Sequence, residues 1–166
     1  MNFQKEIENW DGKSAKDIAE IYKQHCHDKA FKSNILMLIA NPRTQKGSTW
    51  LLKHHLENNI GLDDQELNEL YNKLDILEYW ESKLHILQSL PFLIIPETHK
   101  KTLERFLRAC LVENNKFVRA WAYNGFYELA TQYPEYTQET KAFFEMAMRD
   151  EAPSVKARIR NILKKF

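Results

Sequence analysis

Residues that form turns or cross-links are scarce in this sequence. Its 166 residues include four glycines, five prolines and two cysteines, Cys26 and Cys110. A many-stranded sheet needs more turn residues than this, so the composition favours helices. Two distant cysteines indicate reduced thiols in an intracellular protein rather than a disulfide scaffold, and a disulfide between them stays open as the alternative.

Long apolar runs are also missing. No stretch approaches the about 18 uninterrupted apolar residues that a membrane-spanning helix requires. Residues 1–8 lack the apolar segment that a signal peptide needs. We therefore expect a cytoplasmic protein that does not associate with a membrane.

Neither sign of charge dominates the sequence. Lys and Arg together number 24 and Asp and Glu 23, which gives a formal net charge of +1 at pH 7. So little net charge provides no bulk attraction for a nucleic-acid backbone or an anionic membrane. Any charged partner must therefore be bound by a local patch.

Motifs of the common enzymes and cofactor sites are absent. The four glycines are too far apart for a phosphate-binding loop, and there is no Gly-x-Ser-x-Gly, His-Glu-x-x-His or Cys-x-x-Cys motif. The histidines of the segment His25–Asp28 lie about 200° apart on a helix and cannot close on one metal ion. Of His54 and His55, one is expected to be a hydrogen-bonded interior histidine. We predict no catalytic residue, no metal site and no cofactor, and expect a non-enzymatic protein.

Capping residues, prolines and apolar periodicity divide the chain into a regular series of helices. Pro42–Gly47 is predicted to be a loop, Ser48 to cap the following helix, and Asp75 with Glu78 to form a capping box. No linker marks a domain boundary, so we predict a single domain over residues 1–166, in which 1–13 are a candidate for a loosely ordered segment. The predicted helices cover residues 14–27, 29–40, 48–58, 63–73, 75–90, 97–112, 116–132, 138–148 and 154–166.

The second half of the chain contains an internal repeat. Residues 115–129 align with residues 152–166 without a gap, with a period of 37 residues from Val118 to Val155. A looser third copy begins at Tyr79 and places Trp80 38 residues before Val118. Each copy follows another predicted helix, so the repeating unit is a helix hairpin.

The repeated pattern is a turn followed by Val-Arg or Val-Lys and then by a small or aliphatic residue four positions on. It resembles the second helix of HEAT repeats, most clearly over residues 97–166. The resemblance implies an all-α fold of the HEAT and armadillo type, a right-handed α-α superhelix of about four stacked helix hairpins. It also implies a wall of second helices that is open to a partner.

Basic and aromatic residues share one column of the last two second helices. Arg119, Tyr123 and Tyr127 follow each other at steps of four, and the 37-residue offset places Lys156, Arg160 and Lys164 beside them. We predict that these six residues form a basic strip that binds a partner. The alternative is that the cations relieve the helix dipole and solubilise a terminal repeat.

Three functional hypotheses follow. The first is a non-enzymatic interaction or scaffold module that binds an acidic or phosphorylated protein segment on its second-helix wall. The second rests on a resemblance to alkylpurine DNA glycosylases built from HEAT-like repeats, in which basic and aromatic residues hold DNA. The near-zero net charge ranks that hypothesis below the first. The third is a subunit or assembly factor that docks through the apolar segment Phe92–Ile95.

Overall fold

Helices are the regular elements in the computed structural model, which describes residues 2–166. The all-α prediction is confirmed, and no helix within these residues has both the length and the apolar character to cross a membrane. The chain divides into two compact units, one ending at Leu93 (unit 1) and one comprising Ile94–Phe166 (unit 2). The α-helices are α1 (Phe3–Asn9), α2 (Ala15–His25), α3 (Phe31–Leu38), α4 (Gln45–Glu57), α5 (Asp64–Tyr71), α6 (Trp80–Ser89), α7 (Lys100–Leu111), α8 (Lys116–Gln132), α9 (Thr137–Asp150) and α10 (Pro153–Leu163).

Helix α4 is the centre of unit 1. It packs against α2, α3 and α6, and its apolar side chains Leu51, Leu52 and Leu56 are buried. From α6, Ile86 and Leu87 are buried as well. Each such aliphatic side chain contributes about 1.5–3 kcal/mol to folding when it is fully removed from water, so this packing supplies much of the stability of unit 1.

The N-terminal helix α1 is fixed to unit 1 through a glycine. Within the segment 1–13, residues 3–9 form α1, which begins after Asn2 and buries Ile7. A Cβ atom on Gly47 would lie 2.5 Å from Ile7 Cγ2, so α4 can approach α1 this closely only with glycine at that position.

The predicted start of α4 at Ser48 is wrong, because two preceding side chains bond to the backbone of other segments. Thr44 Oγ1 donates to the Leu38 carbonyl (2.7 Å), and Gln45 Nε2 donates to the carbonyls of Ile39 and Ile76 (both 3.1 Å). These bonds hold residues 42–44 in a turn and let the helix begin at Gln45.

The predicted capping box of Asp75 and Glu78 is also wrong. A 3₁₀ turn occupies Leu74–Ile76, and the Glu78 backbone N–H donates to Gln45 Oε1 (2.8 Å). The capping box that does form joins Asp63 and Glu66 at the start of α5, where the sequence predicts a helix start at Asp63 or Asp64.

Unit 2 consists of two helix hairpins, α7–α8 and α9–α10, and helix α8 contacts both. Helix α8 has the predicted bounds 116–132, and its N-cap Asn115 accepts hydrogen bonds from the backbone of Phe117 and Val118. Between α8 and the α9–α10 hairpin lies a buried cluster of Ala120, Tyr123, Phe144, Ala147, Val155, Ile159 and Ile162.

The apolar segment Phe92–Ile95 alternates between exposed and buried side chains. Phe92 is 46% and Ile94 70% exposed, whereas Leu93 and Ile95 are buried. The Ile95 carbonyl accepts a hydrogen bond from Tyr133 Oη (2.6 Å). Half of this segment therefore packs in the structure, and the other half faces solvent.

Two histidines of unit 1 make its stability depend on pH. Burial, together with the charge of Lys53, lowers the pKa of His85 from 6.5 to about 3, and burial lowers the pKa of His55 too. Below pH 6.5 each side chain is protonated more readily in the unfolded chain than in the folded one, so the free energy of unfolding decreases as the pH falls below 6.5, and for His85 this decrease continues to about pH 3. We expect the urea midpoint, followed by circular dichroism, to fall between pH 7 and pH 5, and to fall less in His85→Gln.

The matched control is His27→Gln, which removes an exposed histidine from the same unit. This control should keep the wild-type dependence of the urea midpoint on pH. Equal pH dependence in His85→Gln and His27→Gln would contradict the assignment.

Candidate partner-binding surface on the last two helices

Helix α10 is half embedded in unit 2 and half exposed. Pro153 occupies its first turn, and Val155, Ile159 and Ile162 are buried in the cluster against α8. The rest of the helix and the residues that follow it carry five basic side chains and no acidic one. These five define the α10 basic surface: Lys156, Arg158, Arg160, Lys164 and Lys165.

Several cations of α7 and α8 are bound by carboxylates, whereas those of the α10 basic surface are not. Lys100 is bound by Glu97 and Glu135, Arg108 by Glu104 and Glu139, and Arg119 by Glu151. Within residues 2–166, no member of the α10 basic surface forms an ion pair. The surface therefore concentrates uncompensated positive charge on about three helical turns.

Arg119, the first residue of the predicted strip, joins the two hairpins of unit 2. Its guanidinium donates to both carboxylate oxygens of Glu151 (2.8 and 3.1 Å) and to the carbonyls of Glu113 and Asn114 (both 2.9 Å). The hydrogen bonds to Glu151 raise the pKa of Arg119. Burial acts to raise the pKa of Glu151, but the bonds from Arg119 and from the Ala152 amide bring it below its usual value. The charge of Arg119 is thus compensated inside unit 2.

The two tyrosines of the predicted strip pack against the α9–α10 hairpin. Tyr123 is 8% exposed, and its ring lies 6.0 Å from that of Phe144 in an edge-on arrangement. Tyr127 is half-buried, with its ring 5.5 Å from that of Phe166. Burial raises the pKa of Tyr123, as expected for a phenol removed from water.

The remaining three residues of the predicted strip lie on α10 and keep their charges unpaired. Arg160 and Lys164 are exposed, and Lys156 approaches the Arg149 carbonyl at 3.5 Å. The six predicted residues therefore divide into two groups. Those of α8 lie between the hairpins of unit 2, and those of α10 belong to the α10 basic surface.

A pair that the sequence analysis did not single out lies at the opposite margin of α10, because Arg158 is about 200° around the helix from Lys156. The guanidinium of Arg158 lies 4.1 Å from the centre of the Trp121 ring, a cation–π contact between a half-buried residue of α10 and one of α8. Trp121 is half-buried. The sequence repeat indicates this pair, because the 37-residue offset relates Arg158 to Trp121.

A half-buried carboxyl lies on the same side of α8 as Trp121. Burial raises the pKa of Glu128, and the charge of Lys165 opposes that shift. Glu128 is seven residues, about two helical turns, after Trp121. The charge of Glu128 therefore offsets part of the positive potential of Lys165.

An apolar groove lies between α9 and α10, next to the α10 basic surface. It has a volume of about 630 Å³, and Leu163 on its edge is 46% exposed. Lys141 lies over the Phe166 ring at 5.1 Å. We call this the α9–α10 groove; its lining residues are Lys141, Phe144, Glu145, Met148, Arg149, Leu163 and Phe166.

Unit 1 contains a more polar cleft of about 540 Å³ beside α1. Most of its charged side chains are already engaged. Lys46 binds Glu81, Glu8 accepts from Gln4, and Asp11 accepts from two backbone amides. Arg43 is exposed, with both signs of charge around it. This cleft has no consistent chemistry for one ligand.

The histidine segments have structural partners. His25 Nε2 lies 3.1 Å from Glu6 Oε2. The expectation of one interior histidine is confirmed, because His55 is 3% exposed and its Nδ1 lies 3.1 Å from Tyr22 Oη. His54 stacks on Trp50. In the part of the chain that the structure describes, no three His, Cys, Asp or Glu side chains are placed to hold a metal ion.

The Arg119–Glu151 ion pair should stabilise unit 2. We expect Arg119→Ala to lower the free energy of unfolding by about 1–3 kcal/mol, because it leaves a largely buried carboxylate with one backbone partner. The control Arg160→Ala removes an exposed arginine without an ion pair and should change it by less than about 0.5 kcal/mol. Urea unfolding of the two variants measures the difference; equal losses would show that the pair contributes nothing.

Comparison with known proteins identifies the family of this chain. A HEAT repeat domain model matches residues 10–166, which is nearly the whole sequence. Neither a curated protein nor a solved structure matches it. The match includes the residues before Gly61, where the sequence shows no clear internal repeat. Together with the helix hairpins of unit 2, it shows that the chain belongs to the HEAT repeat family.

Proposed function

We propose that this chain is a non-enzymatic protein-interaction module whose α10 basic surface binds an acidic or phosphorylated segment of a partner protein. HEAT repeats present walls of second helices on which partner proteins bind, which supports the general part of the proposal. One observation carries the specific part. The cations of α7 and α8 named above are paired, whereas the five cations of the α10 basic surface form no ion pair within residues 2–166.

Electrostatics favours an anionic ligand at this surface. Like charges on neighbouring turns of a helix repel one another by a few tenths of a kcal/mol per pair, and a bound carboxylate or phosphate relieves that repulsion. Arg158 and Arg160 each present a planar fork of donors that matches a carboxylate or phosphate in two hydrogen bonds. The stack on Trp121 restricts Arg158, so less side-chain entropy is lost when it binds.

The predicted strip contributes to this function through its α10 residues. Lys156, Arg160 and Lys164 supply free charges, and Arg158 and Lys165 lie beyond the predicted column. Arg119 and Tyr123 support the surface indirectly, because they fix the α9–α10 hairpin against α8. Trp121 supplies the aromatic side chain beside these cations. The prediction had given that role to Tyr123 and Tyr127.

A salt-titrated binding assay tests the proposal. The probes are a labelled Glu-rich peptide, its phosphoserine-containing form and a labelled DNA duplex, measured by anisotropy. We expect both peptides to bind, and to bind several-fold more weakly as NaCl rises from about 50 mM to about 300 mM, because salt screens exposed charges. The double variant Lys156→Glu, Arg160→Glu should weaken peptide binding about ten-fold or more, through loss of attraction and gain of repulsion.

The matched control is Lys16→Glu, Lys29→Glu, which changes the net charge by the same amount at exposed positions of unit 1. It should bind the peptides as the wild type does. Equal weakening in both double variants would mean that the peptides respond to total charge and would contradict a site on α10. Binding of the duplex alone, lost in the α10 variant, would favour nucleic acid as the ligand.

A further inference from the structure

The first hairpin of unit 2 shows how an apolar hairpin face is covered in this protein. Phe126 of α8 meets Phe143 of α9 edge-on, with the ring centres 5.0 Å apart. Leu111, at the end of α7, packs against the cluster formed with α9 and α10. Arg119 at the margin is bound by Glu151. The covering element is therefore helical, contributes apolar side chains to the centre and places a carboxylate on a cation at the edge.

The same face recurs one repeat later and is open. The 37-residue period relates Leu111 to Met148, Phe126 to Leu163 and Arg119 to Lys156. Met148 and Leu163 line the α9–α10 groove. Lys156 forms no ion pair within the described part of the chain.

We infer that the α9–α10 groove binds an amphipathic helix of an acidic partner protein, with its apolar side on Met148 and Leu163 and one of its carboxylates against Lys156. This inference deepens the proposed function and rests on it, since it takes the partner to be acidic. It adds the conformation of the bound segment and the place where its apolar side chains lie.

The shape of the groove fits a helix. Phe144 and Met148 are four residues apart on α9, and they lie opposite Leu163, the last residue of α10, and Phe166 just beyond that helix. Side chains four residues apart form a ridge along a helix, and the groove beside such a ridge accepts the ridge of another helix. Amphipathic helices bind such grooves through anchors at i, i+3, i+4 and i+7. A volume of about 630 Å³ accommodates several aliphatic side chains.

The charges around the groove favour an acidic helix over a neutral or basic one. Two of its seven lining residues, Lys141 and Arg149, are cations. At the margin of the groove, Lys156 Nζ lies 3.5 Å from the Arg149 carbonyl. Arg160 follows Lys156 by one turn of α10 and is exposed. Glu145 is the single acid in the lining. A helix with acidic flanks therefore meets mostly opposite charges on both sides.

The test compares two labelled acidic peptides of identical composition and about 16 residues. In one, leucines follow the helical spacing i, i+3, i+4, i+7, and in the other the same leucines are scattered around the helix. We expect the amphipathic peptide to bind about ten-fold more tightly and to gain helical circular dichroism on binding. The salt dependence of both peptides should be similar, since their charge is the same.

A matched pair of methionines on α9 locates the site. Met148→Gln changes a residue of the groove, whereas Met146→Gln changes a 55% exposed methionine that lies instead beside Arg119 and Tyr123. We expect Met148→Gln to weaken the amphipathic peptide about five-fold or more and to leave the scattered peptide unchanged, with no effect of Met146→Gln. Leu163→Gln, on the other side of the groove, should act like Met148→Gln and guards against a folding defect at position 148.

The outcomes separate this inference from the proposed function. Equal binding of the two peptides, or equal affinities of Met148→Gln, Leu163→Gln and Met146→Gln, overturns the groove and leaves the α10 basic surface in place if binding still depends on salt. Absence of salt-dependent binding to either peptide overturns both. Self-association of the chain in light scattering, lost in Leu163→Gln, identifies a second copy as the occupant and also overturns the inference.

Discussion

Helix α8 is enclosed on most of its circumference by the other helices of unit 2, and the placement of every neighbour follows from that enclosure. Small side chains at Ala120, Ala122 and Gly125 let the surrounding helices approach closely. Phe126 and Leu129 fill the remaining space as fully buried groups. Because α7, α9 and α10 all pack against α8, the backbone positions of their solvent-facing residues are defined even where those side chains form no hydrogen bond or ion pair.

The exposed half of α10 can therefore carry charge that contributes little to folding. Its buried residues Val155, Ile159 and Ile162 secure the helix, and the solvent side is free to carry any residue that keeps the helix intact. Five cations gathered there reduce stability slightly through mutual repulsion. Such a cost is typical of surfaces whose composition is set by binding rather than by stability.

The sequence predicts the helices well where their determinants are local. Helix α8 has its predicted bounds because Asn115 and Pro134 lie at its two ends, and the apolar spacing between them is regular. Helix α4 begins earlier than predicted because Thr44 and Gln45 bond to backbone groups distant in sequence or outside the helix. No local pattern contains that information.

The predicted strip illustrates the same limit for a functional surface. Arg119, Tyr123 and Tyr127 do lie along one side of α8. Whether that side faces solvent or a neighbouring helix depends on packing between segments that are distant in the sequence. Tyr123 and Tyr127 suit either environment, since a phenol has an apolar body and a polar end. The partner of Arg119 is Glu151, 32 residues away, and only the folded chain shows that the two meet. On α10, Arg160 and Lys164 are exposed and Lys156 is half-buried.

The exposed charges beside the α9–α10 groove also bear on how the protein behaves at high concentration. An apolar groove on a surface is a point at which identical molecules can associate, and a symmetric contact would bring one α10 against another. Lys156, Arg160 and Lys164 stand where the preceding repeat has Arg119, Tyr123 and Tyr127, so such a contact would set cation against cation. The cations to which we assign the binding of an acidic partner would thereby also oppose homodimerisation through this face, so that selectivity and colloidal stability would come from one set of side chains.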